Sequence, residues 1–355
     1  MQTIILVHGM GNHTADTTKQ TFTQACQQAL GLYPALKDKK VGDYVNIEAV
    51  GYNDIFDNHR KAMADRAQSV DDRLNALGGL VSGGLGDLTE LITRIETSLG
   101  DDSFIATHWL DVFFYRFTTL GENVRIRLGQ KILEVLKQEQ SQHIHVVGHS
   151  LGTAVTHDTL AKLYSDNFIP GETDYLSTRS EKLGSIHMVA NTSRVLESFV
   201  KVKESTAKPG AGGCCSKYYE YRHRLDPITW VKPFNPTDNN NWISHDSFRF
   251  RRYQLFQPTS ITNEHGNTHS LAHYIFNPMV HLPLFRTAFD MELSDSQIEK
   301  GHDAYIARTL SGVAGELEDA LDELRVKDQN SIDSLILAAK TLKDYVESIG
   351  GQWDA

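Results

Sequence analysis

The chain is poor in cysteine. Its 355 residues include three, Cys26, Cys214 and Cys215, and two of these are adjacent. An odd count with a neighbouring pair excludes a disulfide framework. The pair also lacks the second pair that a structural zinc site needs at ligand spacing, so reduced thiols are expected. Positive charge is in short supply too. Lys and Arg total 35 against 45 Asp and Glu, a formal net charge of −10. No Lys/Arg stripe is there to follow a phosphate backbone, so nucleic acid is not an expected partner. The same acidity argues against permanent docking on anionic lipid. Long apolar runs are missing: no stretch approaches the roughly 18 residues of a membrane-spanning helix. The opening Met1-Gln2-Thr3-Ile4-Ile5-Leu6-Val7-His8-Gly9 has no basic segment and no small-residue cleavage site, which makes a cytoplasmic location the expectation. No repeat with a period of about 20 to 50 residues is visible, so a solenoid or propeller is not expected.

What remains is an ordinary globular composition with a clear rhythm. Residues 3–7 form a continuous apolar, β-branched run of strand length, suited to burial on both faces. Further strands are expected at 45–52, 141–147, 185–190, 218–225 and 248–256. Helices are expected at 17–32, 122–137 and 151–164. In the second of these, Val124, Leu128, Ile132 and Val135 repeat on one face. Strands alternating with helices predict an α/β fold with a mostly parallel sheet and helices on both faces. The whole chain, 1–355, reads as a single domain with two additions. One is a helical insertion at 53–120, holding a glycine-rich stretch at 78–86, an apolar helix at 87–99, and Trp109, Phe113, Phe114 and Tyr115. It is expected to form a cap or a lid. The other is a helical extension at 294–355, with an apolar stripe of Ile332, Leu335, Ile336, Leu342, Tyr345 and Ile349 expected to pack on the body. Residues 205–213 read as a mobile loop.

One motif carries chemistry. Gly148-His149-Ser150-Leu151-Gly152 fits G-x-S-x-G and lies between an expected strand and an expected helix, the context in which such a serine is a nucleophile. The turn is so sharp that side chains at either glycine would collide. The helix that follows aims its positive end at Ser150.

A nucleophilic serine needs oxyanion donors, an acid and a base. His8-Gly9-Met10-Gly11 ends the first strand, on the same sheet edge as Ser150, which makes the N–H groups of Met10 and Leu151 the candidate oxyanion hole. Asp226, held before Pro227 at the end of the fifth strand, is the candidate acid. The loop after the fourth strand offers no carboxylate until Glu197, which makes Asp226 the better choice. The base must follow the sixth strand, where His265, His269 and His273 compete. His269 is preferred because it directly precedes an expected helix. His273 is the alternative base, one helical turn further on. His269 and His273 also share the i, i+4 spacing of a two-histidine metal site, but the Glu of H-E-x-x-H is absent, and no metal or other cofactor is expected.

The order of oxyanion loop, Ser150, Asp226 and His269 resembles the α/β-hydrolase superfamily, and within it the lipase and esterase branch with a His-Gly-x-Gly loop. The resemblance covers residues 3–60 and 120–290. It implies a central parallel sheet flanked by helices. It also implies serine hydrolysis of a carboxylic ester through an acyl-enzyme. The expected substrate is a small-molecule or lipid ester, and an apolar lid could touch a membrane surface transiently. The sequence departs from the family in lacking a strand or hairpin ahead of the one that carries His8-Gly9. The alternatives are a thioesterase, acyltransferase or peptidase on the same residues, or a catalytically silent interaction module.

Overall fold

The computed structural model describes residues 1–9, 14–58, 115, 119–165, 169–172, 175–193, 205–224, 226, 229, 249–255 and 268–308. Six strands form one sheet: β1 (Gln2–Val7), β2 (Val45–Val50), β3 (Ile144–His149), β4 (Leu183–Val189), β5 (Cys215–His223) and β6 (Phe250–Leu255). Their order across the sheet is β2-β1-β3-β4-β5-β6, and every neighbouring pair is parallel. Parallel strands need crossovers. Helices α1 (Ala15–Leu30), α2 (Leu120–Leu136) and α3 (Leu151–Leu163) lie between successive strands from β1 to β4, and α4 (Leu271–Phe276), α5 (Pro278–Ala288) and α6 (Asp295–Ile306) follow β6.

The burial of β1 and β3 follows from their sequences. All six residues of β3 are buried, as are the last five of β1, which is why these strands read as unbroken apolar runs instead of alternating ones. Successive residues serve opposite faces. Ile5, Val7, Val146 and Ile186 pack with Val124, Leu128 and Ile132 of α2 and Leu160 of α3. Ile4, Leu6, Val147 and Val189 pack with Phe22 and Leu30 of α1, Tyr274 of α4 and Leu284 of α5. Two cores thus sandwich the sheet, and the apolar face expected on residues 122–137 is the buried face of α2.

Several boundaries move. Residues 141–143 are a 3-10 turn and not the start of β3, which instead runs on through Gly148 to His149. β4 begins two residues early at Leu183, and β5 three residues early at Cys215. α1 starts at Ala15 because Thr14 caps it, its hydroxyl accepting from the Thr17 N–H at 3.1 Å. The 205–213 loop is packed: Ser205 and Ala207 are buried, the Cys214 N–H donates to the Thr206 carbonyl at 2.8 Å, and the Gly210 N–H donates to the Cys215 carbonyl. Cys26, Cys214 and Cys215 are free and buried.

Of the insertion, residues 53–58 are helical, and Tyr115 is buried with its hydroxyl donating to Asp158 at 2.7 Å. The glycine-rich stretch, the apolar helix at 87–99 and the aromatics at 109, 113 and 114 lie outside the described residues. So does the stripe from Ile332 to Ile349. The first part of the extension is α6, capped by Ser294, which buries Gly301 and Tyr305. Among the described residues, no helix is long and apolar enough to cross a membrane.

Candidate active site

Parallel strands bring their carboxyl ends to one edge. The register sets Val7 beside Gly148, His149 beside Val189, and Val189 beside Tyr221. The residues that follow β1, β3, β4 and β5 therefore emerge side by side.

Ser150 stands between β3 and α3 with φ 53° and ψ −129°, a conformation that costs a non-glycine residue about 1–3 kcal/mol. Four hydrogen bonds hold it there. Its N–H donates to the Val189 carbonyl at 3.1 Å. Its carbonyl accepts from the Thr153 N–H at 2.9 Å, the Thr153 hydroxyl at 2.6 Å and the Thr192 hydroxyl at 2.9 Å. The Thr192 N–H in turn donates to the Thr153 hydroxyl at 3.0 Å, tying the loop after β4 to the first turn of α3.

The glycines around the turn answer to specific neighbours. A Cβ on Gly152 would sit 2.2 Å from the Val7 carbonyl oxygen, so α3 starts flush against the end of β1. A Cβ on Gly148 would lie 3.1 Å from the Gly152 carbonyl oxygen. Gly9 is the tightest approach to the serine itself, since a Cβ there would lie 2.6 Å from the Ser150 Cβ. The loop after β1 is fixed from behind by the buried Tyr52, whose hydroxyl donates to the carbonyl oxygens of His8 and Gly9.

His269 meets Ser150 directly. Its Nε2 is 2.9 Å from the Ser150 Oγ, and its Nδ1 is 2.8 Å from Asp226 Oδ2. A carboxylate only accepts, so Nδ1 carries the proton and the Nε2 lone pair faces the serine hydroxyl. All three side chains are buried. Ser150 is also the N-cap of α3, and Leu151 is that helix's first residue. The first N–H groups of a helix have no intrahelical acceptor and point outward at its positive end. The Leu151 N–H is thus at the turn, as the sequence suggests. Met10 lies outside the described residues, as do His265 and Pro227.

His273 is elsewhere. It is buried against His223, with ring centroids 4.9 Å apart, and the Ser150 hydroxyl is met by His269 instead. Burial first, and then His223, hold the His273 imidazole well below its ordinary pKa. The alternative base is therefore set aside: α4 begins at Leu271, which leaves His269 in the loop and turns His273 into the core.

Two supporting residues carry no role in the motif that would announce them. Tyr274 donates from its hydroxyl to Asp226 Oδ2 at 2.8 Å. His149 donates from Nε2 to the His269 carbonyl oxygen at 2.8 Å, and its ring lies between His8 at 5.0 Å and His269 at 5.2 Å. Both contacts join residues 48 and 120 positions apart. Only the local cue of an aromatic or a histidine beside a motif residue was available in the sequence.

Among the described residues, no three His, Cys, Asp or Glu side chains cluster as metal ligands would. The arrangement can remove a proton from a hydroxyl, store positive charge on an imidazole beside a carboxylate, and receive a developing anion at a helix start. No family model, no curated protein and no solved structure matches the chain.

Proposed function

We propose that this chain is a serine hydrolase of carboxylic esters, of small molecules or lipids, built on the α/β-hydrolase plan. The observation that carries the reading is the unbroken relay from Ser150 Oγ through His269 to Asp226, with contacts of 2.9 and 2.8 Å. The strained turn at Ser150 supports it, because backbone strain held by four hydrogen bonds is the kind a reactive site retains. The order of nucleophile after β3, acid after β5 and base after β6 is that of the resemblance drawn from the sequence.

In this reading His269 takes the Ser150 hydroxyl proton at Nε2 as Oγ attacks the ester carbonyl. Asp226 holds the imidazole in the Nδ1–H tautomer and balances the imidazolium charge. The tetrahedral oxyanion is received by the Leu151 N–H, with the Met10 N–H as the expected second donor, each worth about 3 kcal/mol in the transition state. When the tetrahedral species collapses, the C–O bond to the alcohol breaks and His269 protonates the leaving oxygen. Water then attacks the acyl-enzyme, giving its proton to the same Nε2, and Ser150 is released with its proton restored.

The test is a fluorophosphonate, which phosphonylates activated serines. Wild type is expected to carry the adduct on Ser150, Ser150→Ala to carry none, and turnover of a short p-nitrophenyl ester to fall about a millionfold in Ser150→Ala. A folded wild type that takes up no adduct overturns the proposal.

A further inference from the structure

The hydroxyl of Tyr274 sits at a junction. The His223 backbone N–H donates to its oxygen at 2.8 Å, which uses the phenol as an acceptor and leaves its own proton to point to Asp226 Oδ2. That same Oδ2 receives the His269 Nδ1–H at 2.8 Å. Two donors thus share one carboxylate oxygen, both within a fully buried environment where each hydrogen bond to a charge counts for more than in water. Burial first, and then the Asp226 charge, push the Tyr274 phenol well above its ordinary pKa, so its proton stays in place across the working range.

We propose that Tyr274 is a positioning residue: its hydroxyl holds Asp226 toward His269, draws off part of the carboxylate charge, and so sets the pH at which His269 begins to act as a base. The proposal rests on the hydrolase reading of Ser150, His269 and Asp226. A carboxylate that already accepts a phenol proton attracts an imidazolium less strongly. With Tyr274 in place, His269 sheds its proton more readily and is a free base at lower pH. Without it, the full Asp226 charge favours the imidazolium, and the base is held protonated to higher pH.

Other groups face this junction and stay unchanged when the hydroxyl is removed. From β5 come Arg222, whose charge reaches Tyr274, and the His223 ring, 6.2 Å from the Tyr274 ring. From the end of β3 comes His149, its ring at 6.4 Å. On the same helix His273 packs against His223 and is held neutral by burial.

The experiment measures the second-order rate of fluorophosphonate labelling at Ser150 against pH, together with the low-field proton resonance of the His269 Nδ1–H. In Tyr274→Phe the acid limb is expected to move up by about half to one pH unit. The resonance is expected to move further downfield as the remaining hydrogen bond to Asp226 strengthens. Replacing Tyr274 by 3-fluorotyrosine keeps the ring and makes a stronger donor, so the acid limb should move the opposite way. This second variant decides the matter if Tyr274→Phe does not fold. An acid limb and a resonance that stay put in a folded variant overturn the role of Tyr274. If wild-type Ser150 takes no label, the hydrolase reading fails, and the resonance alone decides whether Tyr274 tunes the Asp226–His269 pair.

Discussion

His149 donates from its Nε2 to the backbone carbonyl of His269 across 2.8 Å, joining the residue before the serine to the residue that serves it. The bond ties the loop carrying the base to the end of β3. His149→Phe keeps an aromatic ring in place and removes the donor. A lost hydrogen bond of about 1–1.5 kcal/mol corresponds to roughly a tenfold lower kcat. KM should be unchanged, since the expected effect passes through the placement of His269. His149→Gln, which restores an N–H donor, should recover most of the rate. Steady-state kinetics on a p-nitrophenyl ester would show whether the loss falls on kcat, and a loss confined to KM would contradict this role.

Gly9 is predicted to be irreplaceable for activity although it is far from it in sequence. An alanine Cβ would stand 2.6 Å from the Ser150 Cβ, closer than real carbon atoms approach. Either the loop after β1 or the serine must retreat. A displacement on that scale costs on the order of a hundredfold in rate, while overpacking costs about 1–3 kcal/mol in stability. Gly9→Ala should therefore remain folded by circular dichroism and lose labelling by fluorophosphonate. Labelling within twofold of wild type would contradict the geometry.

Thr192 braces the strained turn through its bond to the Ser150 carbonyl. Thr192→Val removes that donor and leaves the two from Thr153, so stability should drop by about 1 kcal/mol. Labelling of Ser150 should slow severalfold as the turn relaxes. Thr192→Ser, which keeps the hydroxyl, should behave as wild type in both denaturant midpoint and labelling rate. A loss in the Ser variant with none in the Val variant would show that the methyl group, not the hydroxyl, is what matters.

Acid should weaken the fold well above the carboxylate range. Burial lowers the imidazoles of His145 and His281 from 6.5 to about 4. The unfolded chain therefore binds their protons near pH 6.5 and the folded chain only near pH 4. Stability is complete above pH 6.5 and drains away as pH falls through that window, at up to about 1.4 kcal/mol per pH unit for each histidine. Urea midpoints measured from pH 7.5 to 4.5 should decline below 6.5. His281→Gln should flatten the slope, and a flat wild-type curve would rule these two histidines out as its source.

The sheet was legible because its central strands are buried on both faces and read as apolar runs, and because one helix shows its buried face every third or fourth residue. The meeting of Ser150, Asp226 and His269 was legible because each follows a strand at a point where a parallel sheet exposes its edge. Less was readable where neighbours come from afar. Ser141-Gln142-His143 looked like strand because it leads into apolar residues, yet its backbone is spent on a turn. Cys215-Ser216-Lys217 stood outside the strand expected from 218, being mixed in polarity, yet Cys215 and Lys217 pair with β4. Thr192 gave no sign of its bond to a residue 42 positions away, nor Tyr274 of its bond to one 48 positions away. Choosing between His269 and His273 needed the start of α4, and that boundary depends on what the helix packs against.

The distance along the chain between Ser150 and His269 also has a consequence in time. The two are separated by 119 residues, and β6, which precedes His269, is the outermost strand on its side of the sheet among the described residues. At roughly 5–20 residues per second, a ribosome delivers the serine about 6 to 24 seconds before the histidine that faces it. During that interval the growing chain holds the serine without its imidazole partner. On the proposed reading, labelling of Ser150 therefore doubles as a clock for the completion of folding.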